Sequence, residues 1–188
     1  MIEIEQHSSL PLFLFSGADL PNIDLENLCW RNPFNASILM TDEFYKKRTQ
    51  AYYSENKTDY FNDLVNIMDT IIENCKQKDI PELINLFPFN TLCTSFRHIA
   101  INIDYSGFYM DKHLDNRNVK WTFVMNLDDN STGTKIHLGD TTISGPTKKG
   151  SGVFFFNHHN LWHSVDTVTR NRTTLYSQGI LIDGNINQ

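Results

Sequence analysis

The chain has 188 residues, 40% of them hydrophobic and 12% aromatic, which suits one domain with a real core and excludes a disordered polypeptide. Its formal charge of -6 argues against broad binding of DNA or RNA, whose phosphates need a basic surface, although Arg117, Lys120, Lys148, Lys149 and Arg170 could still form a local basic mouth. No apolar run approaches the ~20 residues of a membrane span, and the odd, widely spaced Cys29, Cys75 and Cys93 argue against a disulfide framework, so a soluble, cytoplasmic location is expected.

Residues 1–40 mix short apolar runs with turn residues, and strands are expected there. Leu10 to Phe15 is too short for a secretory signal and follows Glu3 and Glu5 rather than a basic region. Thr41-Asp42-Glu43 offers an N-cap followed by early acids, which predicts a helix to about Ser54. Asn56 to Thr58 reads as a helix–helix loop. Phe61, Leu64, Val65, Met68, Ile71, Ile72 and Cys75 then recur at steps of three and four, one apolar stripe along a helix of about five turns. Asp79-Ile80-Pro81 suits the start of a third, short helix that Pro88 ends. The sequons at Asn35, Asn56, Asn130 and Asn171 read as chance in a cytosolic chain.

After Phe89 the apolar period changes from 3.6 to two. Strands are predicted over 96–105, 109–115, 119–127, 133–138, 152–156, 161–168 and 172–182, divided by turn clusters at 106–107, 128–132, 144–150, 157–160 and 169–171. The expectation is a single domain, 1–188: mostly helical support over 1–90, then a core of antiparallel strands over 91–182. The fold class is mainly β with supporting α-helices, a double-sheet jelly roll.

The chemistry concentrates in the second half. His113 and Asp115, two apart on one strand, present an imidazole and a carboxylate to the same side. With His163 they make two nitrogens and one carboxylate that occupy one face of a metal and leave the other open, as in non-heme Fe(II) oxygenases. A three-ligand zinc site is the competing reading. Arg172, nine residues beyond His163, and Thr174, two further on, share a strand face and could jointly grip a carboxylate. His158 and His159 lie in a turn-like stretch and have no arginine at that interval, so His163 is preferred. Arg170 would share the face of Arg172, and spacing alone leaves it open. His7, His98 and His137 read as surface or satisfied core histidines, with the reservation that the strand of His137 can face the cavity.

Tyr109-Met110-Asp111-Lys112-His113-Leu114-Asp115 resembles the strand that opens the site in Fe(II)/2-oxoglutarate-dependent dioxygenases, particularly the prolyl-4-hydroxylase-like branch. Asn126-Leu127-Asp128 with Gly133-Thr134, then Pro146 to Gly150, Val153-Phe154-Phe155-Phe156 and Leu161-Trp162-His163-Ser164-Val165 are similar to that family's later elements, in the same order. The resemblance spans about residues 95–182. It implies a cupin-like double-stranded β-helix, with Fe(II) held by His113, Asp115 and His163, 2-oxoglutarate as cosubstrate and O2 as oxidant. It selects Arg172, with Thr174, as the anchor of the cosubstrate's distal carboxylate, makes Lys135 the runner-up anchor, and offers Tyr105 or Tyr109 as a hydrogen-bond partner of the cosubstrate. The interval from Tyr105 to His113 is slightly shorter than in prolyl hydroxylases. Because related halogenases replace the acid with a small residue, Asp115 favours hydroxylation. The implied reaction is hydroxylation of an amino-acid or peptidyl, prolyl-type carbon in a small-molecule or peptide substrate, with release of succinate and CO2. The alternative is a non-catalytic jelly-roll protein that binds a metal or small ligand, against which a complete triad plus Arg172 speaks. The sequence does not report the oligomeric state.

Overall fold

The computed structural model describes residues 1–7, 10–32, 47–77, 96–157 and 161–181. Among these stand β1 (Glu3–Gln6), β2 (Leu12–Ser16), β3 (Arg48–Tyr52), α1 (Asp59–Gln77), β4 (Phe96–Asp104), β5 (Met110–His113), β6 (Val119–Asn126), β7 (Thr134–Leu138), β8 (Thr141–Ser144), β9 (Gly152–Phe156), β10 (Trp162–Val165) and β11 (Arg172–Ile180). The chain is mainly β. A seven-stranded sheet runs β1-β2-β9-β6-β11-β4-β3 and a four-stranded one β5-β10-β7-β8, every pairing antiparallel.

Alternation sends the two faces of the larger sheet to different partners. Phe13, Phe15, Trp121, Phe123, Phe154 and Leu175 cluster with Phe61, Leu64, Met68 and Ile71 of α1. Leu12, Val124, Val153 and Phe155 cluster instead with Ile136 of β7 and with Leu161. The helix thus covers one face and the smaller sheet faces the other, across an interior that also holds the site. On α1 the stripe falls as the spacing predicts: Phe61, Leu64, Met68, Ile71, Ile72 and Cys75 are buried, and Val65 lies partly buried at its margin. Asp59 in the first turn and Lys76 in the last complement the helix dipole. Because Ile71 is wholly enclosed, Ile71→Val is expected to cost about 0.5–1.5 kcal/mol, read as a lower urea midpoint with an unchanged m-value.

The helix expected from residue 41 to about Ser54 is corrected over its described part. Arg48–Tyr52 is a strand, pairing Arg48 with Asp104, Gln50 with Asn102 and Tyr52 with Ala100. A capping signal is local, whereas these cross-strand pairs join complementary groups: Arg48 meets a carboxylate, and Gln50 Nε2 donates to Asn102 Oδ1 at 2.8 Å. The described residues of 1–90 accordingly hold three strands and one helix, and all three strands join the larger sheet. Residues 56–58 link a strand to a helix. The expected strands of 1–40 form as β1 and β2. The strand expected over 109–115 stops at His113, and that over 161–168 spans only Trp162–Val165. The short, exposed β8 was not anticipated; it pairs with β7 alone, at the sheet edge. The third helix expected at 79–88, and with it Cys93, Asn35, His158 and His159, lies outside the described residues.

Gly150 closes the turn predicted at 144–150 with φ +71, where a Cβ would also strike the Ala18 carbonyl. Cys29 and Cys75 are free thiols. The Asn56 and Asn130 side chains are buried and hydrogen-bonded inside the protein, which removes them as glycan acceptors. Among the described residues no helix is long and apolar enough to cross a membrane.

Candidate metal centre

β5 and β10 lie side by side in the smaller sheet, with His113 directly opposite His163 in register and their ring centroids 4.1 Å apart. Asp115 follows β5 by two residues. One donor atom from each of His113, Asp115 and His163 falls within 4.8 Å of the others, and His163 Nε2 stands 3.6 Å from Asp115 Oδ1. Three residues expected to meet from sequence therefore do meet.

Each is held in a different way. His113 Nδ1 lies 2.8 Å from the Asp111 carbonyl. That carbonyl can only accept, so Nδ1 is the donor and Nε2 is the ring nitrogen left to face a metal. Asp115 Oδ2 accepts a hydrogen bond from the Thr122 hydroxyl at 2.7 Å. His163 is 4% exposed, packed against the Phe155 ring, and its Nδ1 has no partner. Burial holds its pKa down at about 4, with the Asp115 carboxylate opposing and the His113 and His137 rings adding to the fall. The imidazole is thus neutral at pH 7, as a nitrogen ligand must be. Two imidazole nitrogens and a carboxylate oxygen, clustered and partly withdrawn from water, suit a divalent transition metal.

A second polar group lies on the same interior, one sheet across. Along β11, Arg172, Thr174 and Tyr176 share the inward face, while Leu175 points to α1. Arg172 is buried on every side. Its Nη1 donates to Asp104 Oδ2 at 2.9 Å and its Nη2 to the Thr134 hydroxyl at 3.1 Å. Arg48 grips the same carboxylate with two bonds, Nε to Oδ1 at 2.5 Å and Nη2 to Oδ2 at 3.0 Å. Asp104 thus serves two guanidinium groups, and a counter-ion for Arg172 exists within the protein. Burial lowers the Arg172 pKa and the neighbouring Arg48 adds to the fall, while Asp104 opposes it; the group stays charged. Two buried polar atoms remain without partners, Arg172 Nε and the Thr174 hydroxyl. They lie one strand step apart on the inward face and offer two donors to a carboxylate.

Other expected contacts fall elsewhere. Lys135 faces outward and pairs with Asp166 at 2.6 Å, and its neighbour Thr134 reaches Arg172 instead. Arg170 is exposed and donates to the Asp129 carbonyl. Tyr105 and Tyr109 are 38% and 51% exposed. The Tyr105 hydroxyl lies 3.3 Å from that of Thr49, whose side chain alternates with the inward-facing Arg48 and Gln50. Among the described residues, no hydrogen bond joins either tyrosine to the metal-ligand group or to Arg172. Tyr176 is on the inner face instead, on the same side of β11 as Arg172 and Thr174. Burial first and the Asp115 carboxylate second raise its pKa well above the ordinary value, with Arg48 opposing, so the phenol remains a donor. His137 also faces outward, bonded to the Thr142 and Ser164 hydroxyls. His98 is a core residue edge-on to Tyr52 and Tyr176, and burial lowers its pKa.

Sequence reasoning missed Arg48, Asp104, Thr122, Thr134 and Tyr176. Tyr176 was accessible by extending the alternation of Arg172 and Thr174 one step. Thr122 carried a weaker signal, as the one hydroxyl within Trp121-Thr122-Phe123-Val124-Met125.

No protein-family model and no curated protein matches the sequence. Solved structures match by shape. A crystal structure of a Pseudomonas putida prolyl-4-hydroxylase superposes with a TM-score of 0.55 at 14% identity, over 72% of this chain and 72% of that one. A Trichoplax adhaerens prolyl hydroxylase, in complex with a peptide fragment of a hypoxia inducible factor oxygen degradation domain, gives 0.54 at 14% identity, covering 71% of this chain and 62% of that one. A Burkholderia pseudomallei oxidoreductase of the 2OG-Fe(II) oxygenase family gives 0.52 at 14% identity, over 81% and 73%. At such identity the likeness is one of fold.

Proposed function

We propose that this protein is an Fe(II)- and 2-oxoglutarate-dependent dioxygenase built on a double-stranded β-helix, and that it hydroxylates an amino-acid or peptidyl, prolyl-type carbon. The observation that carries the reading is the pairing of two groups on one interior: a His113, Asp115, His163 cluster, and a buried arginine whose Nε, like the hydroxyl of Thr174 two residues along the same strand, has no partner. A zinc hydrolase needs only the first. A cosubstrate with a metal-chelating end and a distal carboxylate accounts for both.

In this reading His113 Nε2, one Asp115 oxygen and a His163 nitrogen hold the metal, while Arg172 and Thr174 take the distal carboxylate of 2-oxoglutarate. Once bound, iron and the cosubstrate supply the oxidising chemistry: O2 and 2-oxoglutarate are consumed, succinate and CO2 leave, and one oxygen atom enters a substrate C–H bond. The chain positions and shields. Asp104 and Thr134 orient the Arg172 guanidinium, Phe155 covers one side of His163, and the protonated Tyr176 phenol offers a further donor. The substrate class rests on likeness: two of the superposed structures are prolyl hydroxylases and one of those holds a peptide.

Anaerobic addition of Fe(II) and then 2-oxoglutarate is expected to produce a metal-to-ligand charge-transfer band in the visible. Admission of O2 with free amino acids or proline peptides should then release succinate. A zinc enzyme would give neither band nor dependence on 2-oxoglutarate. A non-catalytic binding protein would bind and release nothing.

A further inference from the structure

Asp115 stands two residues past the end of β5, outside its backbone pairing with β10. A carboxylate in that position is free to turn. The contact that constrains it comes from Thr122 on β6, a strand of the other sheet, whose hydroxyl donates to Asp115 Oδ2 at 2.7 Å. Oδ1 is left toward His163 Nε2, 3.6 Å away. Thr122 is 1% exposed and lies between Trp121 and Phe123, opposite Phe155 on one neighbouring strand and Gln178 on the other. A hydroxyl buried in that setting is unfavourable unless it is hydrogen-bonded, and this bond to Asp115 satisfies it.

We propose that Thr122 is a positioning residue of the metal centre, which turns Asp115 edge-on so that only Oδ1 faces the two imidazoles. The inference rests on the metal reading given above. Its consequence is one of coordination number. With Oδ2 engaged by Thr122, the carboxylate binds through a single oxygen, and three protein atoms leave three positions of a six-coordinate ion open. A carboxylate lying flat would occupy two positions and leave two. That is one too few for a chelating 2-oxo acid and dioxygen together. Thr122 thus governs how many small molecules the metal can hold, although it touches none of them.

Thr122→Val exchanges the hydroxyl for a methyl group at nearly constant volume and keeps the β-branch, whereas Thr122→Ser keeps the hydroxyl. Anaerobic calorimetric titration with Fe(II) is expected to show the valine variant binding about 10- to 100-fold more weakly than the parent, in the range for lost outer-shell partners. The serine variant should bind close to the parent, and both should unfold near the parental midpoint. On iron-saturated protein, the valine variant should also need more 2-oxoglutarate to develop the visible band. If the valine protein does not fold, Thr122→Ala against Thr122→Ser poses the same question, since those two differ by the hydroxyl alone. Parental iron affinity in the variants without a hydroxyl overturns the proposal and leaves the metal reading intact, as does a serine variant that fails equally. A parent chain that binds no Fe(II) overturns the metal reading, and this inference with it.

Discussion

Asp115→Ala is expected to leave no 2-oxoglutarate-dependent succinate release above background. The substitution removes the only carboxylate of the three-residue cluster and leaves two imidazoles. Of these, His113 keeps its bond to the Asp111 carbonyl, but His163 loses the anion that faces its Nε2. Two neutral ligands hold a divalent ion far less well than a set that includes a charged oxygen, so anaerobic titration should show iron binding lost before any effect on turnover is considered. His113→Ala should behave alike. Asp111→Ala is the matched control, because Asp111 serves through its main-chain carbonyl and its side chain is exposed. An Asp115→Ala protein with undiminished succinate release would remove Asp115 from the metal site.

The second large effect concerns stability. Asp104 is wholly buried and receives three hydrogen bonds, two from Arg48 and one from Arg172. Asp104→Asn conserves shape but removes the negative charge between two buried guanidinium groups. Breaking a buried ion pair on one side costs about 3–5 kcal/mol, against a total of roughly 5–15 kcal/mol for a typical domain. The urea midpoint should fall accordingly. Arg172→Met is expected to cost less, because Asp104 retains both bonds from Arg48 and methionine fills much of the space. On function the order reverses in kind: Arg172→Met should raise the KM for 2-oxoglutarate while the protein stays folded, whereas Asp104→Asn loses folded protein first. Equal urea midpoints for Asp104→Asn and the parent would dismiss the view that Asp104 neutralises this pair.

That ion group also shows where reading the chain from its residues stopped short. The resemblance pairs Arg172 with the cosubstrate's distal carboxylate; the protein itself supplies a counter-ion, Asp104, and Arg48 arrives with it. Asp104 lies 68 residues before Arg172 and 56 after Arg48, so no local pattern joins the three. Arg48 was further concealed by an N-cap signal at 41–43 that implied a helix across it. Lys135 was weighed as an anchor because its strand is the right one. The alternation of β7 turns it to solvent and sends Thr134 inward, and only the register with β10 settles which parity faces the interior.

Other features were legible because their physics is local. The stripe of α1 follows from the helical repeat, and the apolar run Val153 to Phe156 becomes a strand buried on both faces. Arg172 and Thr174 share a face because residues two apart on a strand point one way; the same rule brought His113 and Asp115 together in the sequence, although β5 ends at His113 and Asp115 is held by Thr122. Periodicity and spacing thus determined a mainly β chain, its principal helix, and which residue types share a side, while the choice of Arg172 over Arg170 and of iron over zinc came from the family resemblance. Tertiary structure alone decided what surrounds those residues: that β3 is a strand, that Asp104 bridges two arginines, that Tyr176 rather than Tyr105 or Tyr109 lines the interior, and that Thr122 orients Asp115. Such contacts depend on which strands pair and in what register, and pairing energy is realised only when residues far apart in the chain are brought together.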